Sequence, residues 1–136
     1  MPDVFSPFER SRVMAKVRGQ DTTPERTVRS LIHRMGYRFR LHVKDLPGKP
    51  DIVLPRYRKV IFVHGCFWHQ HPGCPYAQRP SSNVEYWNRK LDRNVSRDRA
   101  HLDQLVYMGW QVLVIWECEL RNLPDLQERL KNFILS

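Results

Sequence analysis

Val60–Ile61–Phe62–Val63–His64–Gly65–Cys66–Phe67–Trp68–His69–Gln70–His71–Pro72–Gly73–Cys74 changes character halfway along. Its opening is an apolar, β-branched and aromatic run of strand type, and Gly65 turns it into a loop. The stretch holds two of the three cysteines and three of the six histidines in the chain. A strand fixes the loop that follows it, and α/β proteins place their chemistry in such loops. The stretch therefore reads as a metal staple and part of a catalytic centre together.

Working outward, Thr22–Thr23–Pro24–Glu25 is a helix start, with Thr22 and Glu25 spaced as a capping box and Pro24 in the first turn. Val28, Leu31, Ile32 and Met35 follow at helical spacing, and Gly36 is a stop signal. Capping alone accounts for Glu25. Tyr37, Phe39 and Leu41 alternate with Arg38, Arg40 and His42, the pattern of a half-exposed strand with a basic outer face. After the turn Lys44–Pro50, Asp51 opens the short strand Ile52–Leu54, which pairs as a hairpin with 60–63 and brings Asp51 beside Val63 and His64. Asn83 is a cap for a long helix, or two helices broken near Asn94–Ser96, ending at Gly109. Its apolar positions are Trp87, Leu91, Val95, Leu102, Leu105 and Val106. Gln111–Trp116 has the pattern of a strand buried on both faces, and Asn122–Asp125 starts a last helix. Together these elements predict an α/β fold with a mixed sheet.

At 136 residues the chain fits one domain, residues 21–136, preceded by a basic N-terminal arm or docked helix, 1–20. No apolar run approaches the ~20 residues of a membrane span, and no secretory signal is visible, so a cytoplasmic protein is expected. Ten prolines imply many fixed turns. The net charge of +9 favours a polyanion, nucleic acid first and anionic membrane second. An odd number of cysteines argues against a disulfide framework. Cys66, His71, Cys74 and Cys118 instead form a closed structural zinc set, provided the strand before Cys118 returns beside the loop. His69 is the alternative imidazole by spacing.

Pro50–Asp51 followed by an apolar strand has the layout of metal-dependent nucleases, although Val63–His64–Gly65 stands where a second acid and a lysine would follow. Joined to Pro47–Gly48–Lys49–Pro50–Asp51, Gly65–Cys66–Phe67–Trp68–His69, Asn94–Val95–Ser96–Arg97–Asp98, Gly109–Trp110–Gln111–Val112–Leu113 and Trp116–Glu117–Cys118, it resembles the very-short-patch-repair (Vsr) DNA mismatch endonucleases from about Arg12 to Cys118. The resemblance implies a restriction-endonuclease-like mixed sheet flanked by helices, with a structural zinc. It implies Mg²⁺-dependent nicking 5′ to the thymine of a T·G mismatch left by 5-methylcytosine deamination.

On the resemblance, Asp51 holds Mg²⁺, His69 is the general base, His64 meets the scissile phosphate or positions water, and Glu25 sits at the site's edge. Zinc falls to Cys66, His71, Cys74 and Cys118. Phe67, Trp68 and Trp87 would intercalate, with Met14 in the opposite groove; core packing is the competing role for Trp87. Lys90, Arg93, Arg97 and Arg99 are assigned to phosphates or to salt bridges. The chain departs from the family where a threonine contact is replaced by Val63, whose backbone carbonyl alone could ligate, and in a loop one residue longer before Cys74. The implied partner is double-stranded DNA carrying the mismatch, with mismatch-repair proteins as further candidates. The expected state is a monomer at the bacterial nucleoid. The alternatives are a non-catalytic, zinc-stabilised DNA-binding module and a sequence-specific restriction endonuclease.

Overall fold

The computed structural model describes residues 22–136, so the N-terminal arm, Met14 included, lies outside the described residues. Helix α1, Thr23–Arg34, begins as its sequence dictates: the Thr22 hydroxyl accepts from the Glu25 amide at 3.3 Å, and Pro24 fills the first turn. It buries Glu25, Val28, Leu31 and Ile32 on one face. The predicted strand over 37–42 shrinks to β1, Arg40–Leu41. His42 adopts φ 49°, a left-handed conformation that cannot continue an extended ladder.

Strand β2, Ile52–Leu54, stops at Pro55, which lacks an N–H for the ladder. A turn of 3₁₀ type, Pro55–Tyr57, leads into β3, Lys59–His64. Helix α2 runs unbroken over Val84–Tyr107. Of the two alternatives, one long helix and two broken near Asn94–Ser96, the first is seen: the Asn94 side chain is engaged elsewhere, its amide donating to the Trp68 carbonyl at 3.2 Å and its oxygen accepting from Arg97. Asn83 does not cap this helix. It sits at φ 52° with no side-chain cap bond, whereas capping needs an extended backbone. Val95 and Val106 are exposed rather than core, while Leu91 and Leu105 are fully buried. Strand β4 is Gln111–Trp116, and α3 is Leu123–Leu135, capped by the Asn122 side chain on the Asp125 amide.

The sheet order is β1-β2-β3-β4, antiparallel in its first two pairings and parallel between β3 and β4. Among the described residues β4 is an outer strand with one neighbour, and only Ile115 is buried in it, so the expectation of burial on both faces is corrected. One face of the sheet packs Ile52, Leu54, Ile61 and Ile115 against α1 and α3. The other packs Val53, Val60 and Phe62 against Leu105 of α2. Lys59, 3% exposed, donates to the carbonyls of Phe133, Ile134 and Ser136 and so closes the end of α3, where a cation also meets the helix dipole favourably.

The pairing Ile52↔Ile61 sets the start of β2 at the same sheet end as the close of β3 and β4. The turn leading to Asp51 is pressed against α2. Gly48 holds φ +74°, and a Cβ there would stand 3.0 Å from the His101 side chain. Replacing Gly48 by Ala combines a strained φ with this close approach, and is expected to destabilise the fold by about 1–3 kcal/mol in urea denaturation.

Candidate active site

Three groups of metal-ligating side chains gather among the described residues, each with its donor atoms within 4.8 Å of one another: Glu25, His42 and Asp51; His64, His69 and Asp98; and Cys66, His71, Cys74 and Cys118. All three depend on the sheet end where β2 begins and β3 and β4 finish.

Asp51 is fixed by the hairpin register, its Oδ2 accepting from the Val63 amide at 2.7 Å. Val63 thus meets Asp51 through its N–H, while its side chain packs against the α1–α3 core. Burial pushes the Asp51 carboxyl from 3.8 to about 7; the Val63 amide works against this and the neighbouring Glu25 charge adds to it. Glu25 is 1% exposed, and its Oε2 stands 2.8 Å from His42 Nε2 and 3.2 Å from the Arg29 guanidinium. The Glu25 amide serves the cap while its carboxylate serves this cluster, so the two readings of Glu25 are compatible. Buried Glu25 beside half-buried Asp51 forms a donor set suited to a hard divalent cation.

On the α2 side of the sheet, the His64 and His69 rings stack with centroids 3.8 Å apart and 7° between planes. His69 Nδ1 lies 2.6 Å from Asp98 Oδ2. A carboxylate at Nδ1 selects the tautomer with a bare Nε2, the arrangement of a general base. Burial pulls His64 down to about 3, with the His69 charge acting in the same direction, so His64 is neutral at physiological pH. Any contact it makes with a phosphate is a donated hydrogen bond, not an ion pair.

The thiol group is assembled by the parallel ladder. His64 pairs with Trp116, so the loop after β3 and the turn after β4 leave the sheet side by side. Glu119 accepts from the Trp116 amide at 2.9 Å and is paired with Arg129 of α3, which fixes the turn carrying Cys118. His71 Nδ1 stands 3.4 Å from Cys118 Sγ and 3.8 Å from Cys66 Sγ. Tetrahedral zinc with bonds of about 2.3 Å to sulfur and 2.0 Å to nitrogen sets such ligand pairs roughly 3.5–3.8 Å apart. The donors fit zinc, and the imidazole among them is His71, leaving His69 to Asp98. Burial pushes the Cys66 thiol up to about 12 and raises that of Cys118, so a metal bound there would have to displace tightly held protons. Trp116 stacks on His71 at 4.3 Å and meets His64 edge-on at 5.3 Å, lying between the thiol cluster and the histidine pair.

Phe67, Trp68 and Trp87 form one aromatic cluster, with centroid separations of 5.4, 5.6 and 6.1 Å, all half-buried. Lys90 lies 6.0 Å from the Trp68 ring. Lys90, Arg93, Arg97 and Arg99 are exposed along α2, and among the described residues none is paired with a carboxylate.

Sequence reasoning assigned no role to Asp98, His42 or Trp116. Asp98 had a signal: Asn94 and Asp98 are one helical turn apart, and both reach the loop 65–74. His42 had none, because strand alternation turned its side chain outward.

A family model described as DNA mismatch endonuclease Vsr matches residues 2–74. A type II nicking enzyme of Xanthomonas oryzae pv. oryzae, V.XorIIP, is 52% identical over 134 residues, 98% of each chain. The DNA mismatch endonuclease Vsr of Escherichia coli K12 is 42% identical, covering 98% of this chain and 88% of that one. A type II nicking enzyme of Neisseria meningitidis, V.NmeAIP, is 41% identical, covering 98% and 95%. Among solved structures, the catalytic domain of the homing endonuclease I-Bth0305I aligns with a TM-score of 0.59 at 23% identity, over 85% of this chain and 96% of that one. The fold is thus the restriction-endonuclease-like mixed sheet with flanking helices that the sequence led us to expect.

Two outcomes are expected from this geometry. Metal analysis of the purified protein should find about one zinc per chain, and Cys118→Ser should lose zinc and thermal stability together; a folded, zinc-free wild type contradicts the assignment. Because folding raises the Asp51 carboxyl from 3.8 to about 7, the folded state binds that proton more tightly than the unfolded chain. Its contribution to stability is therefore full below pH 3.8 and lost as the pH rises towards 7. In metal-free buffer at pH 8, Asp51→Asn should gain about 1–3 kcal/mol over wild type, and the gain should vanish in acid.

Proposed function

The chain belongs to the Vsr family of DNA mismatch endonucleases, and from that premise we propose that it nicks one strand of duplex DNA 5′ to the thymine of a T·G mismatch, with Mg²⁺ held at Asp51. Endonuclease chemistry comes with the family, which sets aside the non-catalytic zinc module. The observation that carries the mechanism is the separation of a carboxyl pair, Asp51 and Glu25, from a carboxylate-oriented imidazole, His69 on Asp98.

Mg²⁺, when bound, supplies Lewis-acid polarisation of the phosphate and lowers the pKa of a bound water. Asp51 would hold it, kept in place by the Val63 amide, with Glu25 at the edge. His69, its Nδ1 on Asp98, would take the proton of the attacking water at Nε2. Neutral His64, stacked on His69, would hold that ring in line and donate to the scissile phosphate.

Phe67, Trp68 and Trp87 would enter the base stack. Unstacking costs a few kcal/mol per step and least at a mismatch, which gives T·G selectivity a physical source. Met14 of the arm remains our candidate for the opposite groove. Lys90, Arg93, Arg97 and Arg99 would run along phosphates, consistent with the net charge of +9. Zinc at Cys66, His71, Cys74 and Cys118 would stiffen the loop that presents the aromatics. Residues 1–20 form the arm and 21–136 the endonuclease domain in this reading.

A second reading has its own support: several relatives are named type II nicking enzymes. It makes the substrate a fixed sequence without a mismatch. Strand-labelled duplexes of one sequence, matched or carrying a T·G pair, distinguish the two in Mg²⁺. We expect a nick in the thymine strand of the mismatched duplex alone. His69→Ala should lower kcat by about 10²–10⁴-fold, and Trp68→Ala should cost about 1–3 kcal/mol of preference for the mismatch. Equal nicking of the matched duplex favours the second reading, and binding without any nick removes both.

A further inference from the structure

Of the residues in the three donor clusters, His42 is the one without a task in the proposed mechanism. Its backbone stands at φ 49°, a conformation that costs a non-glycine residue on the order of 1–3 kcal/mol and persists only where the surroundings impose it. The constraint is visible: the His42 amide donates to the Asp51 carbonyl at 3.2 Å, one step past the last ladder pair, Leu41↔Ile52. The effect is to turn the ring inward. Arg40 and Leu41 are exposed, while the His42 side chain is 13% exposed and faces the carboxyls.

Its Nε2 lies 2.8 Å from Glu25 Oε2, and the donor atoms of Glu25, His42 and Asp51 all fall within 4.8 Å. Neighbouring ligands bound at about 2.1 Å to an octahedral ion stand roughly 3 Å apart. Nε2 and Oε2 therefore already have the spacing of adjacent ligands, with a proton between them in place of a cation. Arg29 approaches the same oxygen at 3.2 Å. A carboxylate oxygen has two lone pairs, so Arg29 can hold the Glu25 carboxylate while the second lone pair turns to the cation.

We propose that His42 Nε2 is a protein ligand of the divalent cation beside Asp51 and Glu25, and that it gives the site a preference for Mn²⁺ over Mg²⁺. The inference rests on the reading of Asp51 as cation ligand. The chemical ground is ligand type: carboxylate and water suit both ions, whereas an imidazole nitrogen favours the transition metal. A histidine turned into an otherwise all-oxygen set at the cost of backbone strain is accounted for by that role.

The test uses the zinc-loaded protein without DNA, titrated with Mn²⁺ and examined by electron spin echo envelope modulation. Wild type should show nitrogen coupling from a bound imidazole. The coupling should persist in His69→Ala and be lost in His42→Gln, with Mn²⁺ affinity falling about tenfold and Mg²⁺ affinity falling less. Mn²⁺ bound without nitrogen coupling, or coupling that survives His42→Gln, overturns the proposal while leaving Asp51 as the ligand, provided Asp51→Asn abolishes binding. Mn²⁺ binding that survives Asp51→Asn overturns the reading of Asp51 and this inference with it.

Discussion

The parallel ladder between β3 and β4, six residue pairs from Lys59↔Gln111 to His64↔Trp116, is the constraint on which the rest depends. Parallel strands cannot be joined by a tight turn, so the connection must cross one face of the sheet, and it does so as the 24-residue helix α2. Two consequences follow. Loop 65–74 and turn 117–121 leave the same sheet end, which brings Cys118 to Cys66 and His71. The crossing helix passes over that end as well, so that Asn94 reaches the Trp68 carbonyl and Asp98 reaches His69. Had β4 run antiparallel, Cys118 would lie at the far end of the sheet and the thiol cluster could not close.

The electrostatics divide the clusters by role. At the β2 end, burial and mutual repulsion hold Asp51 protonated up to about pH 7, a cost that a divalent cation would remove. At the end of β3 the effect has the opposite sign: burial keeps His64 neutral, so it does not oppose a proton arriving on its stacked neighbour His69. Burial raises the Cys66 and Cys118 thiols, so a zinc ion bound there would have to displace their protons. Trp116, stacked on His71 and edge-on to His64, separates the soft site from the histidine pair.

Much of this was legible in the sequence because it rests on local rules. The Thr22 cap, the Asn122 cap, the stop at Pro55 and the pairing that sets Asp51 against Val63 each follow from a few adjacent residues. The gathering of Cys66, His71, Cys74 and Cys118 was legible too, once Cys118 was allowed to return alongside the loop. What sequence could not supply depends on tertiary context. The exposure of β4 follows from its place at the sheet edge, which its apolar run does not encode. Asn83 has the residue type of a cap but enters α2 with a left-handed backbone. His42 reads as the outer face of a strand and is turned inward by one positive φ, while Asp98 acquires its partner only when α2 packs across the sheet.

In the proposed function the three clusters divide the work: zinc on the thiols, a catalytic cation on the carboxyls, and no metal on the histidine pair. Anomalous diffraction from crystals soaked in Mn²⁺, collected at the zinc and manganese edges, addresses it directly. The expected result is a zinc peak among Cys66, His71, Cys74 and Cys118, and a separate manganese peak between Asp51 and Glu25. A manganese peak between His69 and Asp98, or none beside Asp51, would contradict it.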